Sequence, residues 1–369
     1  MGTGSSSESA LRVVPSSDVF SNKEMVALKS AWDDNGPEGS LLKDRHGFTH
    51  YIIDRPAPTS KKGMQPSTKG IIVLSHGLGT SVRVYHQLAA ILVDDGYTVL
   101  RYDFYNHGYS KYAGGLFGKD VWIKYTVDLF VDQLEDLLLH VCAETKETVV
   151  GIVGHSTGGV VAVASNARWR TKEAKRDVIP SVVLANPALF LFKKPFAQAS
   201  ADMFPKLLLF LFKFIPFLRS LVKINYEEAG EKGFAIDPRT NQAVYPDAKD
   251  KQSMVTRRCF GRVKGEREHP FIVPGIYGAG AFTLGAKLLA GHRELLLGNL
   301  TSSPDSKVHW IWGNLDLTVP YTENIGEAEG WAKNYDNFSL STIDRLGHEF
   351  FFEDTERVSK DILPFLNKS

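Results

Sequence analysis

Cysteine is scarce in this sequence, with only Cys142 and Cys259 among 369 residues. Two cysteines cannot build a disulfide framework, and their scarcity is typical of a protein from a reducing compartment. An excess of either charge is also missing, because 43 Lys and Arg residues face 42 Asp and Glu residues, a net charge of +1. This balance gives no overall electrostatic reason to expect a nucleic acid or a strongly acidic partner. The sequence also has no phosphate-binding loop, zinc-ligand spacing or nucleic-acid motif, so we expect no cofactor and no metal.

The amino terminus lacks the charged-then-apolar profile of a secretory signal, so we expect a cytoplasmic protein. Residues 1–22 are polar and low in complexity, and we expect them to form a disordered tail. The same segment fits Met-Gly-x-x-x-Ser, with Gly2 and Ser6 at the positions that a myristoyl transferase reads. We favour a plain disordered tail, and acylation of Gly2 stays open as the alternative.

Apolar runs and amphipathic segments alternate along most of the remaining chain. Residues 25–30 and 47–54 have β-like patterns and predict an antiparallel pair at the edge of a sheet. Buried strands are predicted at 70–74, 97–102, 148–153, 181–185, 307–312 and 338–346, and helices at 82–95, 122–141, 321–332 and 354–365. Strands and helices in this order predict an α/β fold, with a mostly parallel central sheet and helices on both faces.

A serine stands at the apex of a tight turn between a predicted strand and a predicted helix. Residues 154–158 read Gly-His-Ser-Thr-Gly and follow the strand at 148–153 directly. The glycines on either side let the strand and the helix pack close together, and the strained turn pushes the serine hydroxyl into the open. We therefore predict that Ser156 is a nucleophile.

A serine hydroxyl reacts only when a base takes its proton and a third group orients that base. Asp316 follows the predicted strand at 307–312, and His348 follows the last predicted strand. Both residues therefore fall at the carboxyl ends of parallel strands, the edge where α/β sheets place their chemistry. The chain order Ser156, Asp316, His348 is the order of the α/β-hydrolase arrangement, so we predict these three as the catalytic residues.

Other candidates for the acid and the base fit less well. Asp344 lies only a few residues before His348, but the pattern places it within the last predicted strand. His76 lies in a His-Gly turn, where we expect it to brace the loop through hydrogen bonds. His107 lies in a glycine-containing turn with no strand-end carboxylate to orient it.

Acyl transfer also requires hydrogen-bond donors that face the developing oxyanion. We predict the backbone N–H groups of Thr157, which follows the nucleophile, and of Leu78, in the loop after the strand at 70–74. Gly77 and Gly79 on either side of Leu78 let that backbone approach closely. Each such donor typically contributes about 3 kcal/mol to the transition state.

With these motifs the chain resembles the α/β-hydrolase superfamily, specifically the branch of monoacylglycerol lipases and serine aminopeptidase (S33)-like hydrolases. The resemblance rests on His76-Gly77-x-Gly79, Asp103 with Gly108 and Ser110, the turn at 154–158, residues 313–316 and Gly347-His348. Two positions depart from the pattern. Asn106 stands where relatives commonly have Gly, and Thr157 stands where monoacylglycerol lipases usually have Met.

The resemblance implies that residues 188–300 form a helical cap inserted into a hydrolase core of residues 23–187 and 301–369. Residues 189–192 and 207–218 are dense in Leu and Phe, but Lys213 and Pro216 interrupt the second run, which is too short and broken for a good membrane span. It fits a helix packed on the core, an acyl-chain tunnel, or an interfacial helix with Lys206, Lys213, Arg219 and Lys223 at the head groups of a membrane. Basic residues between 257 and 267 read as solvated surface or as a contact for a membrane or an anionic substrate.

The sequence therefore predicts a serine hydrolase that cleaves lipid-like acyl esters, such as a monoacylglycerol or a long-chain acyl ester, with peripheral membrane contact through the cap. The same triad would serve a thioesterase, a depalmitoylase or an acyltransferase. An aminopeptidase would need cap carboxylates for a substrate amine, for which Glu227, Glu228 and Glu231 are the candidates. A non-catalytic binding protein of the same fold is the alternative from another class, and the complete triad argues against it.

Overall fold

The computed structural model describes residues 11–32, 37–57, 68–78, 80–113, 126–172, 179–189, 236–237, 242–243, 293–302, 305–316, 319–348 and 350–368. Gly2 and almost all of the predicted cap, with its apolar and basic segments, lie outside the described residues.

Strands and helices alternate through the described residues. The strands are β1 (Arg12–Val14), β2 (Ser40–Lys43), β3 (Gly47–Asp54), β4 (Ile71–Ser75), β5 (Thr98–Tyr102), β6 (Lys111–Tyr112), β7 (Val149–His155), β8 (Ser181–Ala185), β9 (Ile236–Asp237), β10 (Gln242–Ala243), β11 (Lys307–Gly313) and β12 (Phe338–Ile343). The α-helices are α1 (Asn22–Trp32), α2 (His86–Asp94), α3 (Val127–Thr145), α4 (Thr157–Lys172), α5 (Arg293–Ser302), α6 (Tyr321–Asn334), α7 (Phe350–Glu353) and α8 (Thr355–Leu366).

One large sheet forms the centre of the molecule, with strand order β1-β2-β3-β5-β4-β7-β8-β11-β12, and β6 pairs with β3. The pairs among β5, β4, β7, β8, β11 and β12 are parallel, whereas β1, β2 and β3 add an antiparallel edge. The predicted fold class, a mostly parallel α/β sheet of the α/β-hydrolase type, is confirmed.

Helices cover both faces of this sheet because its central strands are apolar on both sides. On β4, Ile71 and Val73 pack into one hydrophobic cluster and Ile72 and Leu74 into another, as the alternation of side chains along a strand requires. The first cluster includes side chains of α3 and α4, and the second includes side chains of α2 and α8. Strands buried on both faces read as continuous apolar runs, which is why their positions could be predicted closely.

Three expectations about local structure were wrong. Residues 25–30 belong to helix α1, not to an edge strand, and β3 instead pairs antiparallel with β2, β5 and β6. Residues 11–22 of the predicted disordered tail include β1, which pairs with β2, and a short 3-10 helix at Ser16–Asp18. The last strand ends at Ile343, so Asp344 lies in the following turn and not within the strand.

Candidate active site

Ser156 lies at the sharp turn between the end of β7 and the start of α4. Its φ of 52° is in the left-handed region, which non-glycine residues rarely adopt. Two backbone hydrogen bonds fix this turn to the end of β8: the N–H of Ser156 donates to the carbonyl of Ala185 (3.0 Å), and the N–H of Ala188 donates to the carbonyl of Ser156 (2.9 Å). These hydrogen bonds to the end of β8 and the residues after it therefore hold the strained backbone of Ser156 in place.

The glycines around Ser156 are required by close backbone approach. A Cβ at Gly158 would lie 1.9 Å from the carbonyl oxygen of Ser75 at the end of β4, and a Cβ at Gly154 would lie 2.3 Å from the carbonyl oxygen of Gly158. Both contacts are with backbone atoms, which cannot move aside as a flexible side chain would. The Gly-x-Ser-x-Gly pattern thus follows from how tightly the β7–α4 turn packs on β4.

The structure brings the three predicted catalytic residues together. Nε2 of His348 is 3.0 Å from Oγ of Ser156, and Nδ1 of His348 is 2.8 Å from Oδ2 of Asp316. All three side chains are buried. A hydrogen on Nδ1 that is donated to the Asp316 carboxylate leaves Nε2 as an acceptor for the Ser156 hydroxyl, which is the arrangement that general-base activation of a serine needs.

Backbone hydrogen bonds tie the acid loop, which follows β11, to the base loop, which follows β12. The N–H of Leu315 in the acid loop donates to the carbonyl of Leu346 in the base loop (2.9 Å). Within the acid loop, the N–H of Val319 donates to Oδ1 of Asp316 (2.9 Å). A Cβ at Gly313 would lie 2.4 Å from the carbonyl oxygen of Leu346, so the two loops touch backbone to backbone. Asp316 thus binds His348 with one carboxylate oxygen and its own loop with the other.

Asp344, the rival acid, has a different role. Its Oδ1 accepts a hydrogen bond from Nδ2 of Asn314 at 2.7 Å, and Oδ1 of Asn314 accepts from the N–H of Arg345 at 2.7 Å. This exposed pair links the acid loop to the turn after β12. Asp316 and not Asp344 is the carboxylate that contacts His348.

His155, immediately before the serine, supports the base loop. Its Nε2 donates to the carbonyl of His348 at 2.8 Å, and its ring centroid lies 5.1 Å from that of His348. Burial, together with the nearby His348, lowers the pKa of His155 to about 3. The ring is therefore neutral at physiological pH, and its contact with the base is a hydrogen bond to the backbone.

The loop after β4 reaches the serine, as the oxyanion prediction for Leu78 and Thr157 requires. A Cβ at Gly77 would lie 3.0 Å from Nδ1 of His155 and 3.1 Å from Cβ of Ser156, so only glycine fits there without a shift. Leu78 follows in this loop, and Thr157 begins α4 beside the serine. The neighbouring Gly79 lies outside the described residues.

His76 braces this loop, as predicted. Its Nδ1 donates to the carbonyl of Gly77 (2.7 Å), and its Nε2 accepts from the N–H of Phe104 (2.9 Å), which connects the loop after β4 to the loop after β5. Burial lowers the pKa of His76, consistent with the neutral ring that an accepting nitrogen requires. His107 packs against it, with ring centroids 5.3 Å apart.

Sequence reasoning missed Asn186, directly after β8. Its Nδ2 donates to the carbonyls of Gly347 (2.9 Å) and His348 (2.8 Å), and its Oδ1 accepts from the N–H of Gly313 (2.9 Å). Its position in the sequence could have indicated this role, because Asn186 is a polar residue at the carboxyl end of the strand next to the serine strand.

Two further properties concern the described residues alone. They contain no group of three or more His, Cys, Asp or Glu side chains placed to hold a metal ion. None of their helices combines the length and the apolar character needed to cross a membrane.

Comparison with known proteins places the chain in a family. The sequence profile described as "Serine aminopeptidase, S33" matches residues 66–255, just over half of the chain. The chain therefore belongs to the serine aminopeptidase S33 family of α/β hydrolases, and the resemblance stated from its motifs is confirmed.

Curated relatives include the monoglyceride lipases of Rattus norvegicus and Homo sapiens, each 31% identical over 122 residues. That stretch is 32% of this chain and 37% of either lipase, so the chain matches just over a third of their length.

Solved structures share the fold over most of the chain. They include MGS-M2, an α/β hydrolase enzyme from a Medee basin deep-sea metagenome library (TM-score 0.58, 18% identity, 89% of this chain and 98% of that one). An esterase from Exiguobacterium antarcticum (TM-score 0.54, 14% identity, 87% and 96%) and a monoacylglycerol lipase from Paleococcus ferrophilus (TM-score 0.51, 18% identity, 86% and 98%) also match. The protein is an α/β hydrolase with similarity to monoglyceride lipases.

Proposed function

We propose that the protein is a serine-dependent carboxylic ester hydrolase and that Ser156, His348 and Asp316 carry its reaction. The observation that supports this most directly is the position of the His348 ring, with one nitrogen 3.0 Å from the Ser156 hydroxyl and the other 2.8 Å from the Asp316 carboxylate. Both distances lie in the range over which a general base acts.

In the proposed reaction, Oγ of Ser156 attacks the ester carbonyl carbon while Nε2 of His348 takes the hydroxyl proton. Asp316 keeps the ring in the required tautomer and stabilises the imidazolium. The tetrahedral intermediate collapses as His348 passes the proton to the departing alcohol, which leaves an acyl-serine. A water molecule that is deprotonated by His348 then attacks this acyl group, and the acid leaves as the proton returns to Ser156.

The N–H groups of Leu78 and Thr157 are proposed to bind the oxyanion of both tetrahedral intermediates. The packing of the loop after β4 on the serine turn supports this, because a Cβ at Gly77, the residue before Leu78, would lie 3.1 Å from Cβ of Ser156. Donors that are already in place stabilise the charge that develops without a cost in reorganisation.

The substrate class that we propose is a lipid-like acyl ester such as a monoacylglycerol. The Leu- and Phe-rich runs at 189–192 and 207–218, within the proposed cap of residues 188–300, support an apolar acyl group. The monoglyceride lipases among the relatives point the same way. We further propose that this cap gives peripheral membrane contact to an otherwise cytoplasmic protein.

Transfer of the acyl group from a thioester, or to an alcohol in place of water, is the second candidate, since it would use the same triad. Hydrolysis by purified protein of acyl esters and thioesters from short to long chains, beside Ser156→Ala, tests the proposal. We expect turnover that rises with the length of an ester chain and is lost in Ser156→Ala. Turnover that persists in Ser156→Ala would refute the serine mechanism, and a preference for thioesters would move the second candidate ahead.

A further inference from the structure

We propose that Asn186 is a positioning residue of the active site, whose side-chain amide holds the acid loop and the base loop in the register that the reaction needs. The inference rests on the proposed function, since it takes Ser156, Asp316 and His348 to act together.

Three catalytic loops meet at the turn that contains Asn186. The backbone on either side of Asn186 holds the serine turn, through Ala185 and Ala188. Its side chain holds the other two loops. Oδ1 accepts from the N–H of Gly313, three residues before Asp316, and Nδ2 donates to the carbonyl of His348 itself.

The chemistry of these contacts selects an amide. One end of the side chain must accept from an N–H and the other must donate to two carbonyl oxygens, and asparagine is the shortest side chain that does both. Aspartate keeps the acceptor but loses the donor, and an apolar residue loses both. Because Asn186 is 0% exposed, the groups that lose a partner are buried away from bulk water, where an unmade hydrogen bond is costly.

The backbone conformation at position 186 further limits which residue types can occupy it. Its φ of 44° lies in the left-handed region, where asparagine, aspartate and glycine are the residues most readily accepted. A second backbone bond, from the N–H of Asn186 to the carbonyl of Ile311 on β11 (3.0 Å), anchors the residue to the strand that carries the acid loop. Glycine and aspartate at this position therefore test the side chain without adding strain to the backbone.

Loss of the amide should act on the chemical step. The Asn186 amide contacts the backbone of His348 and of the acid loop, so loss of this amide lets the distances from His348 to Ser156 and Asp316 drift. The substitution removes no side chain of the triad itself. A displacement of about 1 Å in a catalytic group can cost about 100-fold in rate. We expect the effect in kcat, with KM little changed.

The experiment compares Asn186→Gly and Asn186→Asp with wild type, Ser156→Ala and a matched control. Asn337→Asp is the control, because Nδ2 of Asn337 also donates to two backbone carbonyls, those of Leu300 and Ser306, away from the triad. The readouts are kcat and KM on an acyl ester that wild type hydrolyses, the rate of labelling by a fluorophosphonate, and the melting temperature.

We expect both Asn186 variants to lower kcat and the labelling rate by about 10- to 100-fold, with KM within about threefold of wild type. Asn337→Asp should lower the melting temperature and leave kcat unchanged. Wild-type kcat in either folded Asn186 variant would overturn the proposal, as would an equal loss of kcat in Asn337→Asp at a matched loss of melting temperature. Wild-type turnover in Ser156→Ala would instead overturn the proposed function, so the two failures are distinguishable.

Discussion

In the part of the chain that the structure describes, two buried histidine–aspartate pairs are each joined by a hydrogen bond, and each has a serine beside it. In the first, Nδ1 of His348 is 2.8 Å from Asp316, next to Ser156. In the second, Nδ1 of His50 on β3 is 2.7 Å from Asp103, and Ser110 hydrogen-bonds to the backbone of both residues. Composition and distance alone do not separate the two sites.

The difference lies in what the second ring nitrogen and the serine hydroxyl face. Nε2 of His348 faces Oγ of Ser156, whereas Nε2 of His50 faces the backbone carbonyl of Glu38. The Ser110 hydroxyl accepts from the N–H of His50 and donates to the carbonyl of Asp103, so its hydrogen is bound to a backbone oxygen and does not face a base. The first pair is arranged to move a proton and the second to hold loops together.

The carboxylate of Asp103 is correspondingly fixed in its ionised form. Burial by itself would raise the pKa of Asp103, but the hydrogen bond and charge of His50, with help from His76 and the Tyr109 N–H, outweigh burial and lower it. The N–H of Val82 also donates to this carboxylate at 2.9 Å. The pair of Asp103 and His50 therefore binds three chain segments and offers no proton acceptor to a substrate.

The serines should separate the two sites most sharply. Ser156→Ala should lower kcat by about 10⁶-fold, because the nucleophile is gone, with little change in the free energy of unfolding. Ser110→Ala should leave kcat within about twofold and lower the free energy of unfolding by about 1–3 kcal/mol, because two buried backbone groups lose their partner. Steady-state kinetics and urea unfolding on both variants measure the contrast. A large loss of kcat in folded Ser110→Ala would contradict it.

Substitutions of the two aspartates should show the same contrast between the two sites, with a smaller loss of kcat than for the serines. Asp316→Asn should lower kcat by about 10⁴-fold, because an amide stabilises the wrong tautomer of His348. Asp103→Asn should mainly cost stability, about 3 kcal/mol, because it leaves His50 without its buried counter-charge. The measurements are kcat/KM and the urea midpoint. If Asp103→Asn retained wild-type stability but lost activity, the second pair would have a catalytic role.

Much of the fold and of the candidate site could be predicted because it depends on local pattern. Strands β4 and β8 are buried at every position and apolar except for one serine at an end of each, so their positions are visible in the sequence. The candidate triad follows from strand ends and chain order, which topology converts into proximity. Asn186 could not be placed in the same way, because its role depends on contacts with residues 127 to 162 positions away in sequence.

Helix α1 was misread although a local signal existed. Ser21 and Glu24 form a capping box: the N–H of Ser21 donates to Oε2 of Glu24 (2.8 Å), and the N–H of Glu24 donates to Oγ of Ser21 (3.3 Å). Ser-x-x-Glu before an apolar run predicts a helix start, and it should outweigh a short β-like run such as residues 25–30.

The buried histidine near the second pair should make the fold sensitive to acid. Burial lowers the pKa of His107 to about 3, from an ordinary value of 6.5, with His76 as the second cause. The unfolded chain therefore binds one more proton than the folded chain between these two values, and stability falls as the pH drops below about 6.5. For this one residue the loss between pH 7 and pH 5 is about 2 kcal/mol.

His107→Asn removes that titration while an amide can still donate to the carbonyl of Tyr105, which Nδ1 of His107 now contacts. We expect the loss of unfolding free energy between pH 7 and pH 5 to shrink by about 2 kcal/mol relative to wild type. Urea unfolding at the two pH values measures it. His155, with a pKa also lowered to about 3, keeps its share of the acid sensitivity in the variant. An unchanged pH dependence would contradict the buried neutral state of His107.

The smallest expected effect concerns Asn106, which stands where relatives commonly have Gly. Its φ of 61° lies in the left-handed region, which glycine adopts freely and asparagine tolerates, so the departure is compatible with the loop that holds Asp103. Asn106→Gly keeps this backbone but removes Oδ1, which accepts from the N–H of Tyr112 at 3.3 Å, so it should lower the free energy of unfolding by about 1 kcal/mol. Asn106→Ala also adds backbone strain and should lower it by about 2 kcal/mol. Neither variant should alter kcat if this loop is purely structural. A loss of kcat in Asn106→Ala larger than its loss of stability explains would show that the two histidine–aspartate sites are coupled through the loops that His76 joins.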